Sequence, residues 1–204
     1  MQTGFDESWV YLENHAPLHI KQTPMALPLH SILRNFLRKH SSLLLNLLFF
    51  LGVFVAISAF QTRNMLSSSG STPPALSGPL LRGGTYDLQT AGARPALIYF
   101  FAPWCNFCAA SSDNLTRLRR IRDENSLEIL TVVLDWQSLQ EVQDYVDRHD
   151  LDLPVLLADR QVAQDWHVMA FPTYYVLDSE RRIRRRDLGY STQFGLWWRT
   201  WFVD

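Results

Sequence analysis

Hydrophobic and polar positions divide the chain into one long apolar run, one polar stretch and a region where short apolar segments alternate with amphipathic ones. Residues 41–62, SSLLLNLLFFLGVFVAISAFQT, carry no charged side chain and consist mainly of Leu, Phe, Val, Ile and Ala. A helix of this length and composition can cross the roughly 30 Å of hydrocarbon in a bilayer. The run therefore predicts one transmembrane helix over residues 41–62.

A cleaved signal peptide is the alternative interpretation of this run. It would need a shorter apolar core and a small-residue cleavage site, for which Ala-Ile-Ser-Ala at 56–59 could serve. The length of the run and the 40 residues before it favour an uncleaved anchor. Residues 1–40 show no sustained period, and Met25 opens a basic lead into the run, so we expect Met25 to be the true start.

The charges beside the run predict its orientation. Arg34, Arg38 and Lys39 precede it, whereas Arg63 is the one cation close behind it. Cytoplasmic flanks of membrane helices carry an excess of Lys and Arg. We therefore expect residues 1–40 in the cytoplasm, a single pass through the cytoplasmic membrane, and the remainder in the periplasm.

The polar stretch over residues 63–82 is rich in Ser, Gly and Pro. Such a composition cannot bury enough apolar surface to fold, so it predicts a flexible linker. The folded domain is accordingly expected over residues 83–204.

Strand and helix patterns alternate within this domain. Residues 95–102 and 127–135 are apolar runs typical of parallel strands that are buried on both faces. Further strands are predicted over 153–157, 173–178 and 183–189, the last two as an antiparallel hairpin, and helices over 105–122, 138–149, 160–166 and from 192. The alternation predicts an α/β domain with a mixed sheet and helices on both faces.

Composition narrows the chemistry. The net charge is −1 and no basic stripe with interleaved aromatic residues occurs in the folded part, so nucleic acid is not an expected partner. The chain has two cysteines, Cys105 and Cys108, separated by two residues. Free thiols do not persist by default in an oxidising compartment. The pair is therefore either a disulfide or a pair that cycles between dithiol and disulfide.

The cysteines are placed where a buried strand gives way to a helix. The first turn of a helix has unpaired N–H groups and partial positive charge, which favour a thiolate over a thiol. Cys105 is thus predicted to be the nucleophile and Cys108, one turn further in, the residue that resolves a mixed disulfide. A structural disulfide and a metal site are the alternatives. So small a loop removes little entropy from the unfolded chain, and two thiolates with His167 and Met169 would suit monovalent copper.

Trp104-Cys105-Asn106-Phe107-Cys108 after a strand, with Phe171-Pro172-Thr173 before a later strand, resembles the thioredoxin superfamily. Residues 133–154 add a helix and resemble the membrane-anchored branch typified by cytochrome c maturation thioredoxins. Residues 188–196 and Tyr99 make the chain most similar to the suppressor for copper sensitivity protein D group.

This resemblance implies site residues. It implies catalytic roles for Cys105 and Cys108, a shielding role for Trp104, and a cis peptide bond before Pro172. The backbone around Pro172, from Phe171 to Thr173, would then pair with a substrate strand. Thioredoxin has a buried aspartate at the position of Tyr99, so the proton acceptor for the second cysteine is missing. Without a histidine or cation between the cysteines, we expect a moderate reduction potential.

The resemblance also implies the function. The chain is expected to exchange electrons with extracytoplasmic protein thiols or disulfides, as a reductant fed by a transmembrane electron donor, with a link to copper tolerance. No organic cofactor and no resident metal are expected. The competing hypotheses are a copper-binding or copper-delivery protein that uses the thiols as ligands, and an interaction module without catalysis.

Two further features have competing interpretations. Arginines crowd the last hairpin, at positions 181, 182, 184, 185 and 186. We expect them to be solvated and to protect an edge strand, with contact to anionic headgroups as the alternative. Trp197, Trp198 and Trp201 lie largely on one side of the last predicted helix and are expected to pack on the sheet, with a binding surface as the alternative.

Overall fold

The computed structural model describes the backbone of residues 29–203 and the side chains from residue 42. The expectation that Met25 is the start lies outside these residues. Within these residues, the chain divides into two compact units between Phe50 and Leu51. Helix α1, Leu29–Thr62, contains a segment, Ser42–Thr62, that is long and apolar enough to span a membrane. This agrees with the apolar helix predicted over residues 41–62.

The folded domain follows the predicted order of elements, with one addition. Its strands are β1 (Ser77–Pro79), β2 (Thr85–Asp87), β3 (Ala96–Phe101), β4 (Glu128–Val133), β5 (Val155–Leu157), β6 (Thr173–Leu177) and β7 (Ile183–Leu188). Its helices are α2 (Asn106–Ile121), α3 (Leu139–Arg148), α4 (Arg160–Asp165) and α5 (Gln193–Trp201). The small antiparallel pair of β1 and β2 was not predicted.

A five-stranded mixed sheet in the order β5-β4-β3-β6-β7 forms the centre of the domain. The pairs β3/β4 and β4/β5 are parallel, while β3/β6 and β6/β7 are antiparallel. Every residue of β3 is buried, as its apolar sequence predicts. The predicted thioredoxin-like sheet flanked by helices is therefore confirmed.

The sheet separates two layers of core. Side chains alternate between faces along a strand, so Tyr99 and Phe101 join one layer and Ile98 and Phe100 join the other. Helices α2, α3 and α5 contribute buried side chains to the first layer. Trp166, at the end of α4, lies in the second layer.

The prediction of a flexible linker over residues 63–82 is wrong. Met65 and Leu76 are buried in the second core layer, and the N–H of Gly70 donates to the carbonyl of Ile183 at 3.0 Å. A count of Ser, Gly and Pro misses these few apolar residues, which fill the sheet face that the helices leave open. The domain therefore begins well before residue 83.

The expectation that the aromatic face of α5 packs on the sheet is wrong for Trp198 and Trp201, whereas Trp197 packs against the first core layer. The helix buries Leu196 and Thr200 and packs against α2. Thr200 Oγ1 donates to the carbonyl of Leu196 at 2.9 Å, which satisfies its polar atom inside the domain. Trp197 is half-buried, whereas Trp198 and Trp201 are exposed.

The arginines of the last hairpin are less solvated than expected. Arg181 Nη2 donates to Glu128 Oε2 at 2.7 Å, and its side chain is only 14% exposed. Arg186 Nη1 donates to the carbonyls of Met65 and Leu66, each at 2.8 Å. The solvated interpretation is wrong for these two arginines, because they bind parts of the chain that are remote in sequence.

Candidate active site

Cys105 is the N-cap of α2. Strand β3 ends at Phe101, the four residues 102–105 form the turn that ends in Cys105, and the helix begins at Asn106. The sulfur of Cys105 accepts a hydrogen bond from the backbone N–H of Cys108 at 3.1 Å. The first turn of α2 carries no acidic side chain, so no carboxylate there offsets the partial positive charge of the helix end. Both effects stabilise negative charge on the Cys105 sulfur once the pair is reduced.

The two cysteines form a disulfide, with their Cα atoms 5.2 Å apart. Cys108 is completely buried, whereas Cys105 is 6% exposed. The sequence prediction that Cys105 lies at the helix start and Cys108 one turn further in is borne out by this geometry. Cys105 is therefore the more exposed of the two sulfurs.

The loop before β6 lies beside the cysteines. Thr173 pairs with Phe100 in the antiparallel register of β3 and β6, so the chain just before Thr173 runs next to the turn that carries Cys105. The Phe171-Pro172 bond is cis, as the resemblance implied. The carbonyl of Pro172 accepts from the N–H of Gly189 at 2.8 Å, and Thr173 Oγ1 donates to the carbonyl of Ala170 at 2.7 Å. These bonds fix the loop from both sides.

Trp104 forms an exposed aromatic wall next to Cys105. Its side chain is 59% exposed, and its ring meets the Phe171 ring edge-on with centroids 5.7 Å apart. Trp104 Nε1 donates to Asp135 Oδ2 at 3.0 Å. The prediction did not include Asp135, although its position directly after β4 places it at the edge of the sheet where β3 also ends.

A cluster of hydroxyl groups lies beneath Cys108. The carbonyl of Cys108 accepts from the hydroxyl of Tyr99 at 3.2 Å and from Ser112 Oγ at 3.1 Å. The hydroxyls of Ser112 and Tyr145 are 3.0 Å apart. Ser112 and Tyr145 were not singled out from the sequence, because their roles depend on two helices meeting over the sheet.

Burial keeps these phenols neutral. Desolvation is the main cause that holds the pKa of Tyr99 well above its usual value, and the neighbouring Tyr174 and Tyr145 raise it further. Desolvation also raises the pKa of Tyr145 to about 12. Tyr99 therefore stands in the place of thioredoxin's buried aspartate as a hydrogen-bond donor to the backbone and carries no negative charge near neutral pH.

The copper hypothesis finds limited support in the arrangement of possible ligands. His167 Nδ1 lies 2.9 Å from the carbonyl oxygen of Asn64 and is thus engaged by the backbone. Met169 is exposed. Within the range that the structure describes, no group of three or more His, Cys, Asp or Glu side chains is arranged to hold a metal ion.

Comparison with known proteins identifies the family. The AhpC/TSA family matches residues 70–186, which is more than half of the chain and includes both cysteines and Pro172. The chain is a member of the AhpC/TSA family. The family match begins at residue 70, inside the stretch that was predicted to be a linker.

Individual relatives agree with this assignment. The chain is 27% identical over 128 residues to the thioredoxin-like protein YneN of Bacillus subtilis, covering 61% of this chain and 74% of that protein. It is 22% identical over 99 residues to sporulation thiol-disulfide oxidoreductase A of the same organism, covering 47% of this chain and 60% of that one.

Solved structures share the fold. A secreted thiol-disulfide isomerase from Corynebacterium glutamicum superposes with a TM-score of 0.58 at 20% identity, over 65% of this chain and 86% of that one. These likenesses place this AhpC/TSA family member among thioredoxin-fold thiol-disulfide oxidoreductases with a Cys-x-x-Cys pair, here Cys105 and Cys108.

Proposed function

We propose that this protein is a membrane-anchored, extracytoplasmic thiol-disulfide oxidoreductase that reduces disulfides in other proteins. The observation that carries the proposal is Cys105 at the N-cap of α2, where its sulfur faces the N–H of Cys108 and lies next to the loop at Pro172. Cys105 is the more accessible of the two cysteines, its position stabilises a thiolate, and the second cysteine is within bonding reach.

The reaction moves two electrons. The Cys105 thiolate attacks a sulfur of the substrate disulfide, so that a mixed disulfide forms and one substrate sulfur leaves as a thiolate. Cys108 loses its proton and attacks the Cys105 sulfur, which breaks the mixed disulfide and releases the second substrate thiolate. The substrate disulfide is reduced to two thiols and the Cys105–Cys108 pair is oxidised. A transmembrane electron donor then returns two electrons to the pair.

The residues around the cysteines bind the substrate. Trp104 and Phe171 provide an apolar wall on one side of Cys105. The backbone from Phe171 to Thr173, fixed by the Gly189 and Ala170 hydrogen bonds, offers a short edge to which an extended substrate segment can pair. In this proposal the pair needs no metal and no organic cofactor.

Helix α1 supports the location. Its apolar segment can hold the protein in the cytoplasmic membrane, and the basic residues before it favour a periplasmic domain. The reductant direction and the link to copper tolerance rest on the similarity of Tyr99 and residues 188–196 to the suppressor for copper sensitivity protein D group. Thiol-disulfide exchange itself does not depend on that finer similarity.

A redox titration of the full chain in detergent, with monovalent copper titrated in parallel, tests the proposal. The Cys105–Cys108 pair should equilibrate reversibly in glutathione buffers, and the reduced chain should reduce an added protein disulfide. The Cys105→Ser/Cys108→Ser double variant is the control. Tight copper binding by the reduced chain, without reduction of the protein disulfide, would instead support a copper-delivery protein.

A further inference from the structure

Helix α5 presents an unusual aromatic surface. Five side chains form it, and we call them the aromatic surface: Phe194, Trp197, Trp198, Trp201 and Phe202. Four of them are strongly exposed, with 68% for Phe194, 49% for Trp198, 48% for Trp201 and 55% for Phe202.

The rings of this surface are in mutual contact. Ring centroids are 5.2 Å apart for Trp197 and Trp201, 4.8 Å for Trp198 and Phe202, and 6.4 Å for Phe194 and Trp198. Single exposed aromatic residues are common, but a contiguous exposed patch of this kind marks an interaction site. Something other than water is therefore expected to cover the aromatic surface.

The position of α5 indicates what covers it. Arg199 of α5 forms an ion pair with Asp187 of β7, and it donates to Ser191 Oγ at 2.9 Å. These contacts fix α5 beside β7, which is an edge strand of the sheet. The aromatic surface is therefore carried by a helix attached to one edge of the domain.

The chain that leaves α1 is attached to the same edge strand. Arg186 of β7 donates to the carbonyls of Met65 and Leu66, and Met65 lies only three residues after the end of α1 at Thr62. Three residues span at most about 10 Å. The exit of the proposed membrane helix and the aromatic surface thus flank a single strand, on opposite faces of the sheet.

We propose that the aromatic surface of α5 inserts into the headgroup region of the bilayer and holds the domain against the membrane. Trp rings favour the membrane-water interface, and a helix with an aromatic face can lie in its plane. Arg199 is ion-paired with Asp187, and the Arg186 guanidinium donates to the carbonyls of Met65 and Leu66 within the chain, so the proposal assigns the attraction to the rings. The inference rests on the anchoring in the proposed function. Docking would fix the direction that Cys105 faces relative to a membrane-embedded electron donor.

Tryptophan quenching in nanodiscs tests this docking. The full chain is inserted into phosphatidylcholine nanodiscs whose acyl chains are either brominated or unbrominated, and bromine quenches rings that reach the bilayer. Helix α1 contains no Trp, so quenching does not come from the span. We expect the fluorescence of the unaltered chain to be quenched. In the Phe194→Ser/Trp198→Gln/Phe202→Ser variant, which keeps Trp197 and Trp201 as reporters, the quenching should fall about twofold or more. The Leu139→Gln variant, which removes an equally exposed apolar side chain from α3, should be quenched like the unaltered chain.

A conservative variant guards against a folding defect. Trp197→Phe/Trp198→Phe/Trp201→Phe keeps the surface aromatic but removes its fluorophores, and it should lose the same part of the quenching. Quenching that is absent, or that is equal in all variants, overturns the proposal. The proposal is also overturned if the unaltered chain is not quenched while the Phe194→Ser/Trp198→Gln/Phe202→Ser variant loses its reduction by a membrane donor. The surface would then bind a protein. Exchange with a soluble disulfide substrate is measured separately on each variant and reports only on the proposed function.

Discussion

Tyr99 occupies the position at which thioredoxin has a buried aspartate. A buried carboxylate is absent from this position, and a phenol replaces it that donates to the carbonyl of Cys108. The phenol stays protonated because burial raises its pKa. Tyr99 therefore positions the second cysteine, whereas the proton of Cys108 must pass to the leaving thiolate or to water.

Replacing Tyr99 by Phe separates positioning from proton transfer. The Tyr99→Phe variant should lose about 1 kcal/mol of unfolding free energy, the usual contribution of one hydrogen bond. The pH dependence of the reduction potential near neutral pH should not change, since a neutral phenol does not titrate there. Redox titrations at several pH values and urea unfolding measure both effects.

The sign of the alkaline effect follows from the raised pKa. The unfolded chain ionises Tyr99 at about pH 10, whereas the folded chain keeps it neutral to higher pH, so the contribution of Tyr99 to stability is constant below that pH and is lost above it. Tyr99→Phe should lack this part of the loss. Tyr175→Phe removes a hydroxyl that donates to the carbonyl of Trp166 on the other face, and because burial also raises the pKa of Tyr175, this variant should lack a similar part of the loss. It is therefore the matched control for the pH slope of the potential. A changed pH slope of the potential in Tyr99→Phe alone would show that the phenol transfers protons.

The Cys-x-x-Cys spacing allowed the cysteines to be selected from the sequence, whereas Trp104 and Pro172 were selected through the resemblance to the thioredoxin superfamily. The Cys-x-x-Cys spacing and the Pro before a strand are visible without the fold. The hydrogen bond of Trp104 to Asp135 spans 31 residues and depends on β3 and β4 ending together. Such contacts carry no local signal, so sequence reasoning misses them.

At the scale of elements, apolar patterning predicted the long strands and failed where few residues decide the structure. Strands β3 and β4 are continuous apolar runs, and the prediction placed both within two residues of their ends. Strands β1 and β2 have only three residues each, with sequences that are not apolar. For α5, helical spacing grouped the aromatic residues correctly but could not tell which side of the helix would meet α2.

Leu76 provides a test of the corrected domain boundary. In a flexible linker, Leu76→Ala would leave stability unchanged. In the structure Leu76 is fully buried in the second core layer, so the substitution should lower the free energy of unfolding by about 2 to 5 kcal/mol. Thr72→Ala, at an exposed position of the same segment, should change it by less than about 0.5 kcal/mol. Equal unfolding midpoints for the two variants in denaturant would restore the linker interpretation.

At the scale of the whole molecule, the thioredoxin-fold domain follows an apolar helix in one chain. The compartment of the cysteines therefore depends on how α1 is oriented. In the proposed topology, Arg34, Arg38 and Lys39 favour a cytoplasmic N-terminus, which would put the cysteines in an oxidising compartment.

Reporter fusions after Asp204 test this orientation. An alkaline phosphatase fusion, which needs an oxidising compartment, should be active, and a cytoplasmic fluorescent reporter at the same position should stay dark. Replacing Arg34, Arg38 and Lys39 with Glu should reduce the bias, because the positive flank is lost. A fluorescent fusion of the unaltered chain would reverse the assigned compartment.

The central claim is that Cys105 forms the mixed disulfide and Cys108 resolves it, and trapping in cells tests this most directly. In the Cys108→Ser variant the mixed disulfide cannot be resolved, so acid quenching and non-reducing gels should show adducts that disappear on reduction. The Cys105→Ser variant and the double variant should show few or none, because Cys108 is buried. Adducts that are equally abundant in Cys105→Ser, or absent from Cys108→Ser while the protein folds, would contradict the account.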